Sequence, residues 1–373
     1  MHDREALPPA ARRVLADLER LAAVDAGPDA AAGRIDFALD AAGAVVALSA
    51  RHCGLGALPE SLGELITLRH LDLEHNALAA VPPVVMGLTA LTTLRLYDNR
   101  LTGVPDELAR LSALRDVGLG RNALFAIPDC VLSLCDLVSL NLAENHLTSA
   151  PEALFGLRDL TMLDLGHNAL SSVPESLGGL RALEIVYLGD NRLESLPESV
   201  GTLSSLVALS AADNRLRALP ESLGTLARLV ELRLSHNELA ELPTSIGSLA
   251  SLRELHLEGN RLRSLPESIG RCGALRTLRL RGNPLLALPE TIGDLAWLGE
   301  LDLRENRLRA IPDGVGGLGR LRVLDLRANE LRELPSSLGS LALLEKLDLR
   351  WNPLRSEPAW LRTLAERGCI VYV

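Results

Sequence analysis

The chain has 373 residues, 47% hydrophobic and only 2% aromatic, so any core it forms is aliphatic and chiefly leucine. A formal net charge of −10 argues against a general affinity for nucleic acid or anionic membrane. No run is long and apolar enough to span a bilayer as a helix. The first residues, MHDREALPPAARR, are charged and lack the apolar core of a signal peptide. From Pro9 to Val24, the residues Val14, Leu15, Leu18 and Leu21 recur at helical spacing, with Pro8 and Pro9 suited to the start and Gly27 to the end. This predicts an amphipathic helix that serves as an N-terminal cap. Next, RIDFALDAAGAVVALSA predicts a hairpin with strands near Ile35 to Leu39 and Val45 to Ala50 and a turn at Asp40 to Gly43. Within it, Arg34, Ile35, Asp36 and Phe37 have the form of a short phosphatase-docking motif. Four degenerate residues recur by chance, and Phe37 reads as a core residue.

From Val45 the chain is one stretch written over and over. Asn76, Asn99, Asn122, Asn145, Asn168, Asn191, Asn214, Asn237, Asn260, Asn283, Asn306, Asn329 and Asn352 succeed one another at 23 residues with no insertion. Cys53 holds the same place one period earlier, which makes fourteen repeats, and a proline stands six residues after each of these positions. A strict period of this size means a solenoid, in which each copy buries its apolar side chains only by stacking on its neighbours. The length alone suggests two or three domains; the unbroken period overrides this with one elongated domain. Its parts are an N-terminal helix and hairpin cap (1–44), the array (45–357) and a C-terminal cap (358–373). In the copy from Leu298 to Arg320, Leu301, Asp302 and Leu303 alternate as in a half-buried strand. Leu298, Leu308, Ile311, Val315 and Leu318 supply the other apolar positions. The asparagine amide carries donor and acceptor, so the thirteen asparagines are expected to form a structural ladder, each serving its own turn and the next repeat. Cys53 donates only weakly, which suits an end repeat. Pro312 and its equivalents suit the first position of a helical turn, and the acidic residue next to it in most repeats complements the N-terminus of that turn. The tail, WLRTLAERGCIVYV, predicts a helical turn through Leu361 and Leu364 and a last strand with Ile370 and Tyr372. Arg362, Glu366 and Arg367 lie on the wet side of that cap.

The pattern L-x-x-L-x-L-x-x-N-x-L-x-x-L-P resembles the leucine-rich repeat. Its 23-residue form, with LPESLG or LPESIG after the asparagine, is similar to intracellular repeats of Ras-associated scaffolds and their plant and bacterial relatives, over residues 45 to 373. The resemblance implies an α/β solenoid, a horseshoe with a parallel concave sheet and short helical turns on the convex side, and a protein-binding role.

Sequence signatures of catalysis are missing: there is no Walker A loop, G-x-S-x-G, H-E-x-x-H or EF-hand loop. The five cysteines are odd in number and unpatterned, and Cys130 and Cys135 lack C-x-x-C spacing, which reads as reduced thiols in a cytoplasmic protein. His52, His75, His167 and His236 share the position before the asparagine, and His52 and His75 fall on adjacent strands with His70 nearby. That spacing allows a metal site, but the same position holds Asp98, Glu144 and Asp190 elsewhere, so it reads as an exposed polar column. No catalytic residue, cofactor or metal ligand is assigned.

The residues six, four and two places before the asparagine face away from the leucines. In the middle repeats they are small or apolar. Gly120, Ala143, Gly166, Gly189 and Ala212 form one column, bordered by Met162, Ile185 and Ala208, with Tyr97 and Tyr187 as aromatic anchors. This predicts a shallow floor on which a partner protein lies. The last repeats are charged, including Glu231, Arg233, Glu254, His256 and Glu258. There Arg281, Arg304, Arg327 and Arg350 stack beside Asp302, Asp325 and Asp348. That arrangement reads as a self-neutralising solvated ladder or as a docking strip for an acidic or phosphorylated segment. The sequence thus points to a monomeric, non-enzymatic scaffold or adaptor of the cytoplasm, active in intracellular signalling. It would bind a protein on the concave face, without nucleic acid or membrane. The alternative is a targeting or regulatory subunit, such as a bacterial effector or ligase component whose catalytic part is on another chain.

Overall fold

Between the first copy and the last, each 23-residue copy runs through the same three steps: a three-residue strand, a left-handed corner and a single tight helical turn. The computed structural model describes residues 7–25 and 34–373, and the chain divides into two units, Met1–Leu170 and Ser171–Val373. In the first unit the helix Pro9–Asp25 precedes an antiparallel hairpin, Arg34–Leu39 with Val45–Arg51. Parallel strands His70–Asp72, Thr93–Arg95, Asp116–Gly118, Ser139–Asn141 and Met162–Asp164 come next, each in register with the one 23 residues before. The helix buries Ala11, Val14, Leu15 and Leu18. It is tied to the first turn of the array by Asp17, which accepts from Ser61 Oγ at 2.7 Å, and by Arg13 on Glu64. Phe37 is buried opposite Leu48, the core role expected of it. The second unit is parallel throughout, from Ile185–Tyr187 to the last strand Ile370–Tyr372, which comes after the helix Ala359–Glu366. In both units the leucines between the outward columns are almost wholly buried. The leucine layer joins adjacent copies, and backbone bonds between copies continue past each short strand, as from Leu188 N–H to Ser210 O and from Asp190 N–H to Ala212 O.

The helical turns are single 3-10 turns, except for an α-helical one at Asp129–Leu132. The proline stands one place earlier than expected. Pro312, with φ −66° and ψ 153°, is the extended residue before the turn, and its carbonyl accepts from Val315 N–H at 3.2 Å. The acidic residue after the proline also serves a different turn from the expected one. The Glu175 carboxylate accepts from Glu198 N–H at 3.1 Å and Ser199 N–H at 2.8 Å, in the next copy, and Glu221 does the same for Thr244 and Ser245. Bonds from Ser199 and Ser245 hold the two carboxyls below their ordinary pKa.

The asparagine ladder is present, but each amide reaches back and not forward. Asn214 Oδ1 accepts from Leu193 N–H at 2.9 Å, and Asn214 Nδ2 donates to Leu188 O at 2.9 Å, both in the preceding copy. Nδ2 also lies on Ala211 O and Ala212 O of its own corner. The corner has a left-handed residue just before the asparagine or, in the first copy, just before Cys53. His52, Asp98, His236, Glu305 and Ala328 all have φ between 53° and 56° there, and Gly259 and Gly282 occupy the same column at 65° and 71°. At the end of the array Cys53 keeps only half of the device: its N–H donates to Asn76 Oδ1, while its thiol reaches Arg51 O at 3.3 Å.

Candidate functional site

The outward columns behave differently in the two units. In the first, the expected floor is occupied by its own chain. The Tyr97 ring lies over Gly120, where an added Cβ would come within 2.8 Å of Tyr97 Cδ2 and 2.6 Å of Asn141 Oδ1. The Tyr97 hydroxyl donates to the Glu144 carboxylate two repeats on, and burial together with that bond pushes the phenol up to about 12. Ala143 and Gly166 are buried and Met162 is half-buried. Tyr97 is therefore a lid over this part of the column and not a free anchor, and Gly120 is small because the ring needs the space. Beside it the Asp164 carboxylate accepts from Gly166 N–H at 3.0 Å, and burial raises its pKa. Next to Tyr97, the rings of His52 and His75 stack at 4.1 Å, and His75 Nδ1 meets Asp98 Oδ2 at 2.7 Å. His75 Nδ1 is thus held by a carboxylate, and among the described residues no third donor group joins these histidines within metal-binding distance.

In the second unit the small column is open. A Cβ built on Gly189 would meet nothing closer than Ala212 O at 3.4 Å, an ordinary contact. Ile185, Ala208 and Ala212 are half-buried around it, and Tyr187 is 39% exposed. Three short apolar side chains and one upright phenol thus form a step on the sheet face. Further along the same face lies a cavity of about 380 Å³, lined by Ser235, His236, Glu258, Gly282, Arg281 and Arg304 among others. Its floor is the left-handed corner of two copies that carry glycine, Gly259 and Gly282, so backbone replaces side chain.

The charged strip is less available than its sequence suggests. Arg304, Arg327 and Arg350 each fold onto the aspartate two residues before them on the same strand. In the first pair Arg304 Nη2 stands 2.6 Å from Asp302 Oδ2, and in the last Arg350 Nη2 stands 2.7 Å from Asp348 Oδ2. Arg327 Nε also reaches Asp348 at 3.4 Å. The three carboxylates are buried under the arginine stems, Asp348 completely. The solvated ladder expected from the sequence is therefore a covered one, and the guanidinium forks are already filled. At the near end Arg281 pairs with Glu305, its Nη2 2.8 Å from Oε1. Burial works against the charge of Asp348, but the bonds from Arg350 outweigh it and hold its carboxyl below the ordinary range.

Between the step and the strip, Glu231, Glu254 and His256 bring one donor atom each to within 4.8 Å of one another. His256 Nε2 is 3.3 Å from Glu254 Oε2, and Nδ1 faces Glu258, which in turn accepts from Ser235 Oγ at 2.5 Å. Contact with Glu258 raises the imidazole pKa against the opposing effect of burial. Burial likewise opposes the shift of Glu258, whose bonds from His256 and Ser235 lower it to about 2. The sequence names these residues as part of a charged surface. The 23-residue period sets Glu231 beside Glu254, but it does not show that the side chains bring their donor atoms together with that of His256.

Comparison with known proteins places this architecture. The family description "Leucine rich repeat" matches residues 62–124, 135–193, 181–239 and 228–285, and "Leucine-rich repeat region" matches 267–366. A leucine-rich repeat protein of Leptospira interrogans is 30% identical, with a TM-score of 0.72 over 85% of this chain and 86% of that one. The plant peptide hormone receptor RGFR1, solved in complex with RGF2, is 26% identical with a TM-score of 0.74, over 85% of this chain and 56% of the receptor. An internalin of Listeria monocytogenes, 21% identical, shares the fold with a TM-score of 0.74 over 94% and 99% of the two chains. No curated protein matches the sequence. With more than half its length matched by one family description and a 30% identical relative aligned over most of both chains, the protein belongs to the leucine-rich repeat family.

Proposed function

We propose that the chain is a non-catalytic interaction module that binds a polypeptide partner on the outward face of the Ser171–Val373 unit. The observation that carries this reading is the open step at Gly189 and Ala212, with Tyr187 standing exposed beside it. An exposed aromatic next to a smooth apolar floor is the composition favoured at the core of an interface. Likeness to RGFR1, solved with RGF2, and to PEPR1, solved with AtPEP1 at 28% identity, supports a peptide or protein as the bound partner and a signalling role. All five cysteines are free, which supports a reducing compartment such as the cytoplasm. Among the described residues no helix is long and apolar enough to cross a membrane. In the working form we take the module to be a monomer.

The test uses the partner captured from source-cell lysate and then purified. Gly189→Arg fills the step from a site where its Cβ fits without a clash, so the unfolding midpoint should stay at the wild-type value. Affinity for the partner should fall at least about tenfold, the equivalent of roughly 1.4 kcal/mol. Ile66→Arg, at a position 70% exposed in the other unit, serves as the control and should bind as wild type does. Normal binding by Gly189→Arg would remove the step from the account.

A further inference from the structure

We propose that Glu231, Glu254 and His256 form a zinc site on the outward face of the second unit. Glu254 and His256 are two apart on one strand and so share a face, and Glu231 is the register partner of Glu254 on the strand beside it. The three donor atoms need only small side-chain rotations to converge, because all lie within 4.8 Å of one another already. His256 Nε2 and Glu254 Oε2 are 3.3 Å apart, and the edge of a tetrahedron with zinc bonds of about 2.0–2.1 Å is about 3.3 Å. One ion can therefore bridge these two with no movement of the backbone.

The charge and the donor types select the metal. Two carboxylates and a neutral imidazole carry a charge that cancels one divalent cation. A mixed nitrogen and oxygen set suits zinc, whereas calcium and magnesium take oxygen ligands. The second ring nitrogen supplies an independent argument. Histidines that ligate a metal almost always turn their other nitrogen to a carboxylate or carbonyl, which fixes the ring. Here Nδ1 faces Glu258 Oε1 at 3.9 Å, and Glu258 is itself held by Ser235. Nε2 is thereby aimed at the carboxylates of Glu231 and Glu254. The neighbouring cations do not close the site. Arg233 lies on Glu231 through an exposed pair that a cation displaces at little cost, and Arg279, the register partner of His256, has its Nε 3.3 Å from Glu300. Three protein ligands leave a fourth position facing solvent, which is the composition of an open zinc site.

The test titrates Zn²⁺ against the Cys135→Ser protein, which lacks the one exposed thiol, in competition with a chromophoric chelator. Co²⁺ serves as the spectroscopic probe. One Zn²⁺ per chain is expected, with tetrahedral d–d absorption in the Co²⁺ form. Glu254→Gln and His256→Asn should each lose that absorption and weaken Zn²⁺ binding by at least about a hundredfold. Glu258→Gln, which only orients the ring, should weaken it about tenfold to a hundredfold. Glu254 is exposed, so its variant should keep the wild-type unfolding midpoint. Ca²⁺ should not compete. Absence of stoichiometric Zn²⁺ binding, binding unchanged by Glu254→Gln, or loss of binding in His75→Ala instead would each overturn the site.

Discussion

Replacing Asn214 by alanine is expected to destabilise the protein by about 1–3 kcal/mol. Its amide satisfies two backbone groups of the preceding copy, Leu193 N–H and Leu188 O, in a place closed to water. Removing it orphans Leu193 N–H and leaves Leu188 O with the bond from Asn191 Nδ2 alone, and a buried unpaired donor costs about 1–3 kcal/mol. Asn214→Asp discriminates this account from a simple loss of packing. Aspartate has nearly the same shape and keeps an acceptor for Leu193 N–H. It turns a second negative oxygen toward Leu188 O, Ala211 O and Ala212 O, where the amide nitrogen now donates. The aspartate variant should therefore be no more stable than the alanine variant at neutral pH. Denaturant unfolding measures both. A wild-type midpoint with a wild-type slope in either would show that the ladder does not hold the copies together.

Asp348→Asn is expected to destabilise by about 2 kcal/mol at pH 7, the scale of a hydrogen bond to a charged group. The carboxylate is fully buried and holds Arg350 at 2.9 Å and 2.7 Å, with Arg327 at 3.4 Å. Asparagine keeps the shape and one acceptor but not the charge. The pH dependence carries the sign. The folded pKa of Asp348 lies below its ordinary value, so its contribution is fully present above the unfolded pKa and is lost as pH falls through the folded one. Wild type and Asp348→Asn should thus begin to converge in stability as the pH falls below about 4, the ordinary aspartate range. A difference that stays constant from there down to acid unfolding would assign the effect to packing instead of charge.

Much of this fold is written in the sequence because a solenoid repeats its instructions. The 23-residue spacing of asparagine and proline yields the strand, the corner and the turn without any long-range information. The hairpin and terminal helices come from local periodicity. The details that escaped are those in which one side chain chooses among partners at equal distance. The amide of Asn214 has copies on both sides, and only the direction of coiling turns it to the one before. The carboxylate of Glu175 lies near its own turn and the next, and reaches the next. The left-handed corner could have been read from Gly259 and Gly282 sharing a column with Asp98, Asp190 and Asp213, residues that tolerate positive φ.

The site was less legible for the same reason. Alternation along a strand shows that Arg304 and Asp302 share a face, but not that the guanidinium would cover its own neighbour and bury it. Nor does it show whether an aromatic stands up or lies down. Tyr97 lies across Gly120 because Glu144 accepts its hydroxyl, while Tyr187 stands exposed. The Glu231, Glu254 and His256 cluster joins two copies: the two glutamates share one outward column and His256 stands in the next.

The claim on which the account turns is that the partner sits on the step beside Tyr187. A photo-crosslinking amino acid placed at position 187, and separately at position 297 beyond the helical turn of another copy, tests it directly. Both native residues are exposed, so neither insertion disturbs the core. The expected result is a covalent adduct with the partner from position 187 and none from position 297. An adduct from position 297 alone would place the partner on the opposite side of the repeats and contradict the assignment.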